Sequence, residues 1–289
     1  MVDQTLRLGS QYSGGHRKQR PAVSRIVLYL VMTALAFTTL FPFIWMLFTS
    51  IKTSAEVSAN PLSLVPSAPQ LGNYGEAWGS VAPFFLNSVM LAAICVVGVL
   101  AVSSLAGYAF ARLDFPGRDL AFAVVLGTTI VPGIIYLIPQ YLLFQNFGWI
   151  DTYYPLWVPR VLTPVFGTFL MRQAFMTLPK ELEDAALLDG ASRFQIYWRI
   201  MLPQTKAILA AVGIFTFIES WNDLFGPLIF INSTELQTLP FALAQFQGEF
   251  FTSVPVLMAA SAITILPVLL VYLFAQKYFV HGITSTGLK

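Results

Sequence analysis

Glu219, Trp221, Asn222 and Asp223 interrupt an otherwise apolar stretch between Ile208 and Ile231. Ionisable groups inside a membrane-length apolar segment cost about 2.5–3.5 kcal/mol each on insertion scales, so they face protein or water rather than lipid. The residue types that would support covalent or metal chemistry are sparse. Cys95 is the only cysteine, which excludes an intrachain disulfide, and it sits among apolar residues as a packing side chain. His16 and His281 are the only histidines and lie at or beyond the ends of the apolar segments. No nucleophile–base pair and no metal-ligand set can be assembled from them, which argues against an intramembrane enzyme. No phosphate loop of the form G-x-x-x-x-G-K-[ST] occurs, so the chain does not bind ATP through that motif.

A second concentration of charge lies in residues 178–203. Leu178 to Gly190 reads as a short helix, with Pro179 at its first position and Glu181, Glu183 and Asp184 at the positive end of its dipole. Gly190 supplies the permissive position at the C-terminal end. Leu182, Ala185, Ala186 and Asp189 share one side, and the small residues admit a close neighbour. Ser192 to Gln195 has the form of a capping box and opens a second helix. There Phe194, Tyr197, Trp198 and Met201 make one apolar stripe, and Pro203 is expected to end it. Two physical readings of this hairpin stay open. It lies on the membrane surface, or it docks a cytoplasmic protein.

These groups must be positioned by an apolar framework. The chain has 289 residues, of which 56% are hydrophobic and only 10% charged, against about 25% charged in a soluble domain. The bilayer is the solvent that fits this composition, and a net charge of +2 gives no case for nucleic acid. A span needs about 20 apolar residues. Six segments qualify: 26–48, 84–111, 120–144, 153–170, 208–231 and 254–278. Pro132 and Pro139 are expected to kink the third, and Pro155, Pro159 and Pro164 interrupt the fourth. The expected class is an all-α polytopic membrane protein. Residues 1–25 form an N-terminal tail, 49–83 an irregular external loop, 84–279 a five-helix domain and 280–289 a C-terminal tail. Of the 16 Lys and Arg, all but Lys52 and Arg160 fall on one side of this arrangement. Basic residues stay cytoplasmic, so both termini are expected inside.

Several motifs resemble a known family. Asp184-Ala185-Ala186, Gly190 and Ile200-Met201-Leu202-Pro203 resemble the E-A-A…G…I-x-L-P signature of ABC importer permeases, with Asp184 where Glu is usual. Gly107-Tyr108-Ala109-Phe110-Ala111-Arg112, Ser220-Trp221-Asn222-Asp223 and Phe274-Ala275-Gln276-Lys277 extend the likeness over about residues 26–287. The pattern is similar to that of MalG-like permease subunits of carbohydrate importers. The resemblance implies a type I importer permease fold in a prokaryotic plasma membrane. It implies a second, related permease, a cytoplasmic ABC ATPase dimer that binds the ATP, an extracytoplasmic solute-binding protein and a sugar as cargo, with no cofactor of the chain's own.

On the same likeness Glu181, Asp184, Ala185, Ala186, Asp189, Gly190, Ile200, Leu202 and Pro203 form the ATPase-coupling hairpin. Glu219, Trp221, Asn222 and Asp223 become candidates for the solute path, since Trp221 and Asn222 offer an aromatic face and a hydroxyl-bonding amide. The competing assignment has Glu219 and Asp223 packing at a subunit interface or capping a broken helix. An ABC permease for a non-sugar solute remains open. A self-contained secondary transporter would show inverted repeats and buried charge pairs near the midplane, and neither is evident in the sequence.

Overall fold

A computed structural model of the chain describes residues 22–61, 63–249 and 253–286. Helices carry nearly all of them, and there is no strand among the described residues. The elements are α1 (Ala22–Ser50), α2 (Ser54–Ala59), α3 (Gly72–Arg112), α4 (Arg118–Gly127), α5 (Leu137–Asn146), α6 (Tyr154–Leu162), α7 (Val165–Thr177) and α8 (Glu181–Leu188). There follow α9 (Arg193–Ile196), α10 (Leu202–Gln204), α11 (Lys206–Trp221), α12 (Phe225–Phe230), α13 (Leu239–Glu249) and α14 (Val254–Thr286).

The chain divides at Met46 into two units. In the first, the apolar window of α1 has no buried residue. A helix that is apolar all round and uncovered requires a non-aqueous environment. In the second, α6, α7, α11, α13 and α14 all pack on the 41-residue α3. Without a hydrophobic drive between helices in lipid, close approach through small residues does this work. Gly107 shows it: a Cβ there would lie 2.6 Å from Met171 Cβ and 2.8 Å from the backbone N of Arg172.

Among the described residues, three helices are long and apolar enough to cross a membrane, and three bent helix pairs bring the number of candidate spans to as many as six. The expected spans need four corrections. Residues 72–83 are not an irregular loop but the first turns of α3, and 54–59 form α2. Their Gly, Pro and Asn content is overridden by packing: Ala77, Val81 and Phe84 are buried in a cluster with Trp221, Leu239, Val256, Ala259 and Ala260.

The third segment is not one kinked helix. It bends by 87° between Ile130 and Gly133. Val131 is extended (φ −83°, ψ 117°) because it precedes Pro132, and the helix cannot continue. Pro139 falls in the first turn of α5, where its missing N–H has no partner to lose, so it makes no break. The fourth segment is interrupted as expected at Pro164, between α6 and α7, while Pro155 and Pro159 lie within α6; the fifth breaks at Asn222–Leu224 between α11 and α12.

Arg160 requires the fourth correction. The charge rule places it with the external residues, yet it lies within α6 and is largely buried.

Candidate functional site

The hairpin is built from α8 and α9 and is joined to the rest by a buried ion pair. Its first helix is shorter than expected. Pro179 lies ahead of it and Lys180 is the N-cap, while the acidic first turn of Glu181, Glu183 and Asp184 stands as read. Gly190 has φ +79°, and its N–H donates to the Leu187 carbonyl at 3.0 Å while Ala191 N–H donates to the Ala186 carbonyl at 2.9 Å. This is a Schellman cap closed by a left-handed glycine. Ser192 and Gln195 make the reciprocal capping box, at 3.3 and 2.8 Å.

Pro203 does not end the second helix. A π-helical turn at Tyr197–Met201 carries the chain into α10, and the bend of 81° comes at Thr205. A π turn shifts the hydrogen-bond ladder by one residue, which suits a helix about to meet a proline.

The hairpin separates the nine coupling candidates. Glu181, Asp184, Ala185, Asp189 and Gly190 are exposed. Ala186 is buried with Tyr108, Met171, Phe175, Ile196, Tyr197 and Met201, and the half-buried Ile200 and Leu202 pack against that cluster. Pro203 is half-buried. Ala186, Ile200 and Leu202 therefore face the chain's own body and seat the hairpin rather than present it. The aromatic stripe divides in the same way. Tyr197 is buried and its hydroxyl lies 2.7 Å from Ser104 Oγ, while Phe194 and Trp198 are 65% and 59% exposed.

Reading the sequence alone misses the anchor. Glu183 is buried on α8, with Oε1 3.4 Å from Arg112 Nε and Oε2 3.8 Å from Arg193 Nη1. Arg112 also donates to the carbonyls of Phe175 and Leu178. Burial pushes the Glu183 carboxyl above its usual range, against the pull of Arg112 and Arg193. A buried pair of this kind fixes a position more than it adds stability. The one available signal was the acidic residue on the inward side of α8, in phase with Ala186.

The second feature is a cavity of about 650 Å³ that Val99 of α3 helps to line. The breaks in the third and fourth segments open it. Its polar lining comes from Thr128, Thr129, Tyr136, Gln140, Thr163 and Thr216, with Arg160 and Glu219 as its charges. Arg160 Nη2 lies 3.3 Å from Asp223 Oδ2 and 3.8 Å from Glu219 Oε1. Asp223 Oδ1 accepts from Gly226 N–H at 2.9 Å and so caps α12, the role in a broken helix that the competing assignment gave it.

The four solute-path candidates separate as well. Glu219 faces the cavity with a side chain 70% exposed. Asp223 meets it only through Arg160. Asn222 is exposed at the end of α11, and its amide donates to the Ile218 carbonyl of its own helix at 2.9 Å. Trp221 is 1% exposed, stacks on Phe217, meets Phe85 edge-on and donates from Nε1 to the Thr264 carbonyl at 3.2 Å. Its aromatic face is spent within the core, so the place assigned to it on the solute path is corrected. Arg160, Gln140 and the cavity threonines went unread, because only the breaks at Pro132 and Pro164 bring them together.

A helical framework with broken spans, a cavity with a partly polar lining and a capped hairpin suit a membrane permease subunit. The comparisons place it further: residues 12–285 match the binding-protein-dependent transport system inner membrane component family, and the chain belongs to it. The arabinooligosaccharides transport system permease protein AraQ of Halalkalibacterium halodurans is 34% identical over 279 residues, 94% of this chain and 99% of that one. The trehalose/maltose transport system permease protein MalG of Thermococcus litoralis is 33% identical, over 92% of this chain and 98% of its own. A bacterial ABC transporter involved in the import of the acidic polysaccharide alginate contains a chain that superposes with a TM-score of 0.79 at 24% identity, over 89% of this chain and 96% of that one. The chain thus has the type I importer permease fold and is a multi-pass inner-membrane component of a transport system that works with a binding protein.

Proposed function

We propose that this chain forms half of the translocation path of an ATP-driven sugar importer, beside a second, related permease. ATP is bound by a cytoplasmic ATPase dimer, so the chain needs no cofactor and no ATP site of its own. The exposed face of α8, with Glu181, Asp184, Ala185, Asp189 and Gly190, docks the ATPase, and both termini lie in the cytoplasm. An extracytoplasmic binding protein delivers the solute. Closure of the ATPase pair moves the permease bundles as rigid bodies and opens the path alternately to each side.

The observation that carries this reading is the cavity beside Val99, whose lining of Gln140, Tyr136 and four threonines offers donors and acceptors suited to hydroxyl groups. The names of the relatives AraQ and MalG supply the sugar class. Expression with its neighbouring transport genes and purification through a tag on this chain tests the proposal. An ATPase subunit and a second permease should co-purify, and the reconstituted complex should hydrolyse ATP faster when a saccharide-loaded binding protein is added. Recovery of this chain alone, with saccharide uptake from vesicles that lack ATP, would replace the proposal with a self-contained transporter. Reporter fusions after Gly190 should read cytoplasmic and those near Glu235 external.

A further inference from the structure

The charge arrangement of the cavity carries a statement about the cargo, and it rests on the reading of the chain as a sugar permease. Arg160 is the cation of the lining, and its Nη2 is shared by two carboxylates, Asp223 at 3.3 Å and Glu219 at 3.8 Å. Asp223 is held in that position independently, since its other oxygen accepts from Gly226 N–H. One arginine against two carboxylates leaves the cluster at −1. The excess charge sits on Glu219, because Asp223 is largely covered whereas Glu219 projects into the cavity. Apart from Arg160, the polar groups that share the cavity with it are neutral: Thr216 on the same helix, Thr163, Gln140 and Tyr136.

We infer that Glu219 sets the charge class of the solute, and that this half of the path passes uncharged saccharides and disfavours sugar acids and sugar phosphates. A carboxylate only accepts hydrogen bonds, and its two oxygens match two adjacent hydroxyls of a sugar ring, forming the stronger, charge-assisted kind of bond. A solute carboxylate or phosphate brought to the same place meets an acceptor-only group of its own sign. Arg160 compensates only in part, because its one guanidinium is shared between Asp223 and Glu219 and the cluster keeps a net charge of −1. In a wet cavity of effective dielectric about 50, two unit charges about 5 Å apart repel enough for roughly a tenfold penalty. The distinction is real within the fold, since the structural neighbour above imports an acidic polysaccharide.

The test uses the complete transporter, with its ATPase, second permease and binding protein, in proteoliposomes. The probes are neutral malto-, arabino- and galactotrisaccharides set against trigalacturonate and glycerol 3-phosphate, each scored by stimulated ATPase activity and uptake. Neutral probes alone should stimulate. For the best of them, Glu219→Gln should raise KM roughly tenfold, by converting charge-assisted hydrogen bonds to neutral ones. Trigalacturonate or glycerol 3-phosphate stimulating as well as a neutral probe would overturn the inference and leave the sugar reading in place. An unchanged KM in Glu219→Gln would overturn it too. Failure of every saccharide, with ATPase and second permease present, would remove the sugar reading itself. The wild-type comparison between neutral and acidic probes decides the matter even where Glu219→Gln fails to assemble.

Discussion

Removing Arg112 should loosen the α8–α9 hairpin far more than neutralising Glu183. Both side chains are almost fully covered, at 5% and 8% exposure, and they face each other at 3.4 Å. Arg112→Met leaves the Glu183 carboxylate buried with only Arg193, at 3.8 Å, and strips the Phe175 and Leu178 carbonyls of their donor. Breaking a buried pair in this way costs about 3–5 kcal/mol. Glu183→Gln keeps shape and hydrogen-bonding capacity, and Arg112 retains both carbonyls. It also removes a carboxyl that burial already disfavours in its charged form. Its cost should stay near 1 kcal/mol. At the lower limit the difference is about 2 kcal/mol, roughly a 30-fold ratio in local opening. Hydrogen exchange at residues 183–191 in the assembled complex reads that opening directly. Arg112→Met should accelerate exchange there while the middle of α3 stays protected. Equal acceleration in both variants, or the reverse order, would refute the view that Arg112 is the anchor and Glu183 its dispensable partner.

Gly190→Val should cost about 1–2 kcal/mol from the left-handed backbone alone, since a Cβ there meets nothing within 4 Å; membrane insertion should be normal and the coupling of ATP hydrolysis to uptake impaired. Trp221→Ala should cost about 3–5 kcal/mol by emptying a fully buried site. Its signature is loss of assembled complex in detergent, with little change of KM in what survives. Asp151, in a left-handed turn at φ 60°, accepts from the Ser233 hydroxyl and from the backbone N–H of Ser233 and Asn232, which hold its carboxyl below the usual range. A depressed carboxyl fastens this loop above its ordinary pKa and releases it as pH falls through the lowered value. Exchange at residues 232–233 should therefore rise below about pH 4 and be fast at pH 7 in Asp151→Ala.

What the sequence made legible followed from local rules. The capping box at Ser192, the left-handed Gly190 and the acidic first turn of α8 each depend on neighbours a few residues away, and all three are present. The apolar segments were legible because lipid demands length and composition. What escaped depended on partners distant in the chain. Trp221 reads as a polar-edged aromatic, and only the packing of Phe85, Phe217 and Thr264 around it reveals a core residue. Residues 72–83 carry turn-forming types, yet burial of Ala77 and Val81 against α14 and α13 keeps them helical. Arg160 was assigned to the outside by a charge rule that counts residues in loops. Its pairing with Asp223, 63 positions away, holds it within a span instead.

In the proposed function α8 is the surface that meets an ATPase. A single cysteine at Asp189, exposed beyond the last turn of the helix, tests it in a Cys95→Ala background. With a short heterobifunctional cross-linker in inner-membrane vesicles, the account requires an adduct between Asp189→Cys and the ATPase subunit whose yield changes when ATP is added. No adduct with the ATPase, together with labelling of Asp189→Cys by a lipid-confined probe, would place the hairpin on the membrane surface and contradict it.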